Sequence, residues 1–179
     1  MIWMVRGIET GLIVMDDEDR HSFTNLLGKA AVATGTTIYA WALMSNHAHI
    51  LMKSGKAGLS TFMRKFLTGY AMQFNGRHHR HGHLFQNRYK SIVCEEHTYF
   101  LKLVSYIHLN PLRAGLVRSV DELEHYPWSG HAVIMKHFDH DWQDIEIMYF
   151  NISVTRKVWQ NWLIGSLCGS KALLELSLN

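Results

Sequence analysis

The stretch TTIYAWALMSNHAHILMKS, residues 36–54, contains the clearest indication of the fold. Residues 36–45 are rich in β-branched and aromatic side chains, and residues 47–54 alternate around an apolar run, so the two halves are interpreted as paired strands. Successive side chains of a strand point to opposite faces of the sheet. His47 and His49 are therefore predicted to share one face, with Ala48 on the other.

Two neighbouring imidazoles on one face are open to two interpretations. They can form part of a metal site, because imidazole is a common ligand of divalent ions. They can also be a chance feature of a polar sheet face. The rest of the chain is needed to decide between these alternatives.

Amphipathic or capped segments on both sides of the strand pair predict helices over residues 16–34, 59–75 and 95–110. The first begins with a run of acidic residues, which the helix dipole favours, and Gly35 follows its end. In the third, Pro111 disfavours the helical conformation of the preceding residue, so this helix is predicted to end at Asn110.

Short apolar segments at residues 2–7, 11–15 and 89–94 are typical of further strands. Strands and helices are thus interleaved, with two adjacent strands in the middle. This order predicts the α+β class: a ferredoxin-like sandwich in which a mainly antiparallel sheet has helices packed on one face.

Length and composition favour a single cytosolic domain. The chain has 179 residues, of which 47% are hydrophobic, enough for a substantial core. Its two cysteines, Cys94 and Cys168, fit no metal spacing and no disulfide framework, which favours a reducing compartment. Neither a secretory signal nor an apolar run of membrane-spanning length is recognisable, so no membrane partner is expected.

The charge distribution is more informative than the formal net charge of +3. No Asp or Glu occurs between Arg20 and Cys94, whereas ten Lys and Arg residues do. Such a one-sign segment indicates an anionic polymer as partner, the alternative being a solvated basic surface. The residues predicted to bind this polymer are Arg64, Lys65, Arg77, Arg80, Arg88 and Lys90.

A second candidate group lies in the segment SYIHLNP, residues 105–111. Tyr106 and Asn110 are four residues apart and share one face of a helix, whereas His108 faces away from them. Each has an ordinary explanation, as a core tyrosine and a helix terminator. Together with the histidine pair, however, they suit one chemistry: a divalent ion polarises a phosphodiester and the tyrosine attacks it.

Seven blocks in a specific order reveal a family resemblance: MVRGIE (4–9), DDEDRHSF (16–23), YAWALMSNHAHILMKS (39–54), GLSTFMRKFLTGYAMQFN (58–75), RHGHLFQNRYKSI (80–92), YIHLNPLRAGLV (106–117) and YPWSGH (126–131). The chain resembles the REP-associated tyrosine transposases, part of the single-tyrosine HUH transposase superfamily, which includes the IS200-like transposases. The resemblance places the paired histidines of the HUH motif on His47 and His49, the nucleophile on Tyr106 and a third metal ligand on Asn110.

The resemblance implies a transposase that nicks single-stranded DNA and transfers the strand through a 5′-phosphotyrosine, with Mg²⁺ or Mn²⁺ as cofactor. The resemblance runs from about Met4 to Trp128, so a catalytic domain is predicted over residues 1–130, and a C-terminal helical extension is predicted over residues 131–179. The expected partner is single-stranded or hairpin DNA, the expected location is the cytoplasm in association with the nucleoid, and the protein acts as a monomer or homodimer.

Two other functions remain open at this point. One is a non-catalytic or domesticated protein that binds repeated palindromic DNA elements. The other is a metal-dependent nuclease that uses water as nucleophile, with Tyr106 in a structural role.

Overall fold

A four-stranded antiparallel sheet organises the computed structural model, which describes residues 2–86, 90–92 and 97–146. The strands are β1 (Ile2–Arg6), β2 (Thr37–Leu43), β3 (His47–Lys53) and β4 (Lys90–Ile92). Their order in the sheet is β2-β3-β1-β4, and each neighbouring pair is antiparallel. The predicted histidine strand, β3, therefore lies inside the sheet.

The helices are α1 (Asp17–Thr34), α2 (Leu59–Met63), α3 (Gly69–Arg77), α4 (His97–Arg113), α5 (Val120–Glu124) and α6 (Gly130–Ile134). A π-helical segment, Arg64–Thr68, joins α2 to α3 without a break in helical conformation. The order β1-α1-β2-β3-α2/α3-β4 is the ferredoxin-like arrangement. The α+β class predicted from the sequence is therefore confirmed.

One face of the sheet carries the predicted helical layer. Phe23 of α1 lies edge-to-face against Phe66 and Tyr70, with ring centroids 4.9 and 5.0 Å apart. These side chains are fully buried and belong to the same cluster as Ile50 of β3. The burial of these rings stabilises the fold. Their cluster is the larger part of the hydrophobic core.

The opposite face is covered by α4, a helix that the sequence predicts but that was expected on the same face as the others. Leu103, Val104 and Ile107 of α4 are buried in a cluster with Ala42 and Leu51 of the sheet. The small alanine side chains of β2 leave room for the helix to approach closely. Because β3 has apolar residues on both of its faces, each face gains from being covered.

Residues 11–15 were predicted to form a strand, but they form an irregular segment. Ile13 and Val14 are nevertheless fully buried, and both backbone N–H groups donate to the carbonyl of Ser45, at 2.8 and 3.2 Å. Burial of isolated apolar side chains by a loop gives the same sequence pattern as a short strand.

The predicted end of α4 at Asn110 is also corrected, because the helix continues through Pro111 to Arg113. The chain leaves the helix at Gly115, which has a φ of 70°. There the N–H of Leu116 donates to the carbonyl of Pro111 and the N–H of Gly115 to that of Leu112, a Schellman motif. A proline removes one helical hydrogen bond, and this helix tolerates that loss near its end.

Residues 128–146 pack against the outer edge of β2. The indole of Trp41 donates to Gln143 at 2.9 Å, and the N–H of Asp144 donates to the carbonyl of Ile38 at 2.8 Å. The described part of the predicted extension, residues 131–146, therefore shares the core of the domain. The division at residue 130 remains a prediction, and residues 147–179 lie outside the described part of the chain.

Across the described ranges, no helix combines the length and the apolar character needed to cross a membrane.

Candidate active site

Strand β3 and helix α4 bring three of the four predicted chemical residues into one row of rings. The imidazole centroids of His47 and His49 are 5.1 Å apart, and the centroid of Tyr106 lies 5.7 Å from that of His49. Both contacts are edge-to-face. The alternation of β3 places both imidazoles on the face that α4 covers, which is why residues 57 positions apart meet.

Burial keeps both histidines in the neutral form. His49 is only 3% exposed, and desolvation lowers its pKa to about 3, with smaller contributions from His47 and Arg6. Desolvation, followed by the charge of Arg6, lowers the pKa of His47 to about 4. Neutral imidazoles offer a nitrogen lone pair, which is the form that binds a metal ion.

The ring of His47 is held by its neighbour in the β2–β3 turn. Its Nδ1 lies 2.6 Å from Oδ1 of Asn46. An amide oxygen only accepts, so a hydrogen bond between these two atoms requires a hydrogen on Nδ1. The sequence analysis did not single out Asn46.

Asn110 lies one turn after Tyr106 on α4, as predicted. Its Nδ2 donates to the backbone carbonyl of Tyr106 at 3.0 Å. This bond uses the amide nitrogen and leaves Oδ1, the atom of this side chain that can bind a metal ion, for another partner. His108 is completely buried on the other side of α4, 5.7 Å from the ring of His131, and is thus no ligand candidate.

The donor set fits a divalent ion only in part. Two neutral imidazoles and one amide oxygen suit a transition metal, and Mn²⁺ accepts both nitrogen and oxygen. In the described ranges, no three or more His, Cys, Asp or Glu side chains are grouped so that they can hold a metal ion. An ion at this site therefore needs Asn110 and a further ligand from solvent or substrate.

Two cations near these rings were missed by the sequence analysis. The guanidinium carbon of Arg113 lies 5.3 Å from the centre of the Tyr106 ring. Partial burial lowers the pKa of Arg113, while Tyr106 acts in the opposite direction, and an arginine remains charged at neutral pH. Arg6 is paired with His47 in the register of β1 and β3. The spacing of seven residues between Tyr106 and Arg113, two helical turns, is the signal that identifies Arg113.

The acid-free segment is not an isolated positive surface, because Arg77 is neutralised by the acidic start of α1. Its guanidinium lies 2.6 Å from Asp16, 2.9 Å from Glu18 and 2.6 Å from Asp19. His78 also contacts Asp19, at 2.9 Å. A role of Arg77 in DNA binding remains a prediction, and it requires these ion pairs to open.

The other predicted DNA-binding residues are dispersed. Arg64 lines a groove of about 740 Å³ between the α2–α3 stretch and residues 82–85, together with Phe85. Since α2 and α3 lie on the face opposite α4, the sheet separates this groove from Tyr106. Lys65 is exposed, and Arg80 lies over the ring of Phe74 at 5.6 Å. Lys90 is part of β4, and Arg88 lies outside the described residues.

The fold and the site thus place a tyrosine beside a histidine pair, and comparison with known proteins gives the family. Residues 11–110 match the family described as "Transposase IS200 like". This is more than half of the 179-residue chain, so the protein belongs to the IS200-like transposases. The family expected from the sequence is thereby confirmed.

Two solved structures are similar to this chain. A REP-associated tyrosine transposase bound to a REP hairpin has a TM-score of 0.60 and 17% sequence identity, over 80% of this chain and 86% of that one. A putative transposase from Deinococcus radiodurans has a TM-score of 0.44 and 16% identity, over 56% and 82% of the two chains. At these identities, the first likeness shows the shared fold alone. No curated protein matches the chain.

Proposed function

We propose that this transposase cuts and rejoins single-stranded DNA through a covalent bond to Tyr106, with Mg²⁺ or Mn²⁺ as cofactor. The observation that carries the proposal is the contact of Tyr106 with His49, 5.7 Å between ring centroids, across the junction of α4 and β3. A nucleophile must lie beside the group that polarises its target, and a metal ion held by His49 would lie beside Tyr106.

The strand transfer is a balanced exchange of phosphodiester bonds. The Oη atom of Tyr106 attacks the phosphorus and loses its proton to solvent, while the bond from phosphorus to the 3′ oxygen breaks and that oxygen takes up a proton from solvent. The products are a 5′-phosphotyrosyl linkage and a free 3′-hydroxyl. Attack by a second 3′-hydroxyl reverses these steps and joins a new pair of ends, so no external energy source is required.

The residues around Tyr106 have distinct tasks in this proposal. His47, His49 and Asn110 would hold the metal ion, which supplies charge neutralisation at the phosphate when bound. Arg113 holds the Tyr106 ring from one side and adds positive charge where the phosphate must lie.

Single-stranded or hairpin DNA is the proposed partner. The similar transposase of known structure is bound to a REP hairpin, and the exposed side chains of Arg64 and Lys65 can contact a phosphate backbone. On this DNA the protein is expected to act in the cytoplasm at the nucleoid, as a monomer or homodimer.

A covalent adduct distinguishes this proposal from both a non-catalytic DNA-binding protein and a nuclease that uses water. Labelled single-stranded DNA is incubated with protein and Mn²⁺ and separated on a denaturing gel, where the wild-type protein is expected to retain the label. Tyr106→Phe is expected to lose the adduct and keep DNA affinity, because only one hydroxyl is removed.

Tyr39→Phe is the matched control, because Tyr39 packs against Phe100 in the same apolar cluster as Tyr106. This variant is expected to form the adduct at the wild-type rate. An adduct that persists in Tyr106→Phe would refute the assignment of the nucleophile.

A further inference from the structure

We infer that Asn46 is a positioning residue that fixes the tautomer of His47 and thereby aims its Nε2 lone pair into the active site. The two side chains meet at 2.6 Å, between Oδ1 of Asn46 and Nδ1 of His47. The value of this tautomer for metal binding rests on the proposed function, whereas the tautomer itself does not.

The amide of Asn46 is oriented by a second bond on its other end. Its Nδ2 lies 3.4 Å from the backbone carbonyl of Thr10, and only the nitrogen can donate to that oxygen. Oδ1 must then face His47. The backbone of Asn46 is held as well, because its carbonyl accepts from the N–H of Gly7 at 2.9 Å.

The loop that holds Asn46 has an unusual backbone. Thr10 has a φ of 60° and Glu9 a φ of 50°, a left-handed conformation that a β-branched residue such as threonine rarely adopts. Gly7 approaches Gly11 so closely that a Cβ on Gly7 would lie 2.0 Å from the carbonyl oxygen of Gly11. Strain of this kind persists where the surroundings require one conformation, and in this conformation the Thr10 carbonyl accepts from Asn46.

The consequence for His47 follows from imidazole chemistry. A neutral imidazole has one N–H and one lone pair, and the acceptor on one nitrogen decides which nitrogen has the lone pair. Partners in this position orient most metal-binding histidines, and their loss typically weakens metal binding about 10- to 100-fold. Asn46 thus orients His47 in the way that a hydrogen-bonded carboxylate or backbone carbonyl orients metal-binding histidines in other proteins.

The test measures the tautomer directly in metal-free protein. Long-range ¹H–¹⁵N correlation spectra of ¹⁵N-histidine-labelled protein at pH 7.5 assign the hydrogen of each neutral ring. The His47 ring of the wild-type protein is expected to have the hydrogen on Nδ1. In Asn46→Ala the hydrogen is expected to move to Nε2 or to be shared, and in Asn46→Asp, which keeps an acceptor, it is expected to remain on Nδ1.

Asn25→Ala is the matched control, because Asn25 is an exposed asparagine on α1, and it should leave the His47 signals unchanged. A wild-type spectrum with the hydrogen on Nε2, or an unchanged tautomer in Asn46→Ala, would overturn the inference. Because the wild-type spectrum alone can overturn it, the test does not depend on whether Asn46→Ala folds.

A second measurement separates this inference from the proposed function. Calorimetry with Mn²⁺ should give an affinity about 10- to 100-fold lower for Asn46→Ala than for the wild-type protein, with Asn46→Asp close to wild type. If the tautomer changes as expected but Mn²⁺ affinity does not, Asn46 orients His47 and the metal role of His47 is wrong. If neither changes, the inference itself is wrong.

Discussion

Arg113 lies over the ring of Tyr106, the proposed nucleophile, and in the proposed mechanism its charge acts on the phosphate that this tyrosine attacks. The arrangement allows a guanidinium to donate to phosphate oxygens that gain charge as Oη approaches phosphorus. We expect Arg113→Gln to slow adduct formation roughly 100-fold, the usual effect of removing one preorganised donor. Rates of adduct formation on denaturing gels at saturating DNA test this expectation.

Arg118→Gln serves as the control, because Arg118 is an exposed arginine beyond the end of α4. It is expected to retain the wild-type rate. Equal rates for Arg113→Gln and Arg118→Gln would show that positive charge at Arg113 has no part in the reaction. Arg113→Lys should recover part of the rate, since it keeps the charge without the planar guanidinium.

The spacing of residues predicts some contacts in this site but not others. The shared face of His47 and His49 follows from strand alternation, and the alignment of Tyr106 with Asn110 follows from the helical repeat. The same repeat includes Arg113. The bond between Asn46 and His47 cannot be read from spacing, because it depends on the path of an irregular loop nearly 40 residues earlier in the chain.

The start of α1 and the end of α3 are joined by a cluster of charged side chains that the sequence analysis assigned to different roles. Asp16 caps α1 by accepting from the N–H of Asp19 at 3.0 Å, and it also binds the guanidinium of Arg77. The side-chain bond to Arg77 is the main cause that lowers the pKa of Asp16 to about 2. A linear charge count does not show such pairs, since the partners are about 60 residues apart.

This cluster predicts a pH dependence of stability with a definite sign. The pKa of Asp16 is lower in the folded protein than its ordinary value of 3.8, so its charge stabilises the fold above about pH 4, and this contribution is lost as the pH falls through about 2. Asp16→Asn keeps the cap and removes the charge. The difference in unfolding free energy between wild type and Asp16→Asn is therefore expected to shrink between pH 4 and 2.

Urea unfolding followed by circular dichroism over this pH range measures the difference. Asp139→Asn, at an exposed aspartate, is the control and should show no such trend. If the difference in unfolding free energy between wild type and Asp16→Asn stays constant down to pH 2, the ion pair between Asp16 and Arg77 does not have this role.

The segment after α6 is attached to the domain by close packing on α1. A Cβ on Gly28 would lie 2.4 Å from Cδ1 of the Trp142 indole, so alanine at this position must displace the ring. We expect Gly28→Ala to destabilise the protein by about 1–3 kcal/mol, as overpacking does. Ordinarily, glycine to alanine within a helix stabilises by roughly 1 kcal/mol, so the sign of the change is the decisive observation.

Gly76→Ala provides the comparison, because a Cβ there meets no atom within 4 Å. Thermal unfolding of both variants is expected to give opposite shifts of the midpoint. A Gly28→Ala variant as stable as Gly76→Ala would show that Trp142 does not pack on α1.

At the scale of the whole molecule, the sequence predicts the class of the fold but not that helices cover both faces of the sheet. Alternating strands and helices suffice to predict an α+β sheet. Residues of β3 such as Ala48 and Ile50 face the large core, while His49 and Leu51 face α4. The second layer was missed because periodicity identifies the buried side of α4 but not the face of the sheet that this helix covers.

The candidate site between β3 and α4 has an unusual charge balance. Its proposed metal ligands are two neutral imidazoles and an amide, and Arg6 is close enough to lower the pKa of both histidines. A divalent cation gains little from neutral ligands beside an arginine, whereas a phosphate gains from both the cation and the arginine. The ion and the DNA phosphate should therefore bind more tightly together than apart.

This coupling gives the last prediction. We expect Mn²⁺ to bind the free protein weakly and to bind about tenfold or more tightly when single-stranded DNA is present; by linkage, Mn²⁺ must strengthen DNA binding by the same factor. Calorimetry on Tyr106→Phe, which cannot form the adduct, measures both affinities without cleavage. DNA with a neutral methylphosphonate at the scissile position should bind without this coupling, because the phosphate charge is what the ion needs. If Mn²⁺ binds equally well with charged DNA, with neutral DNA and with none, the protein alone completes the metal site, and a ligand beyond His47, His49 and Asn110 must be sought.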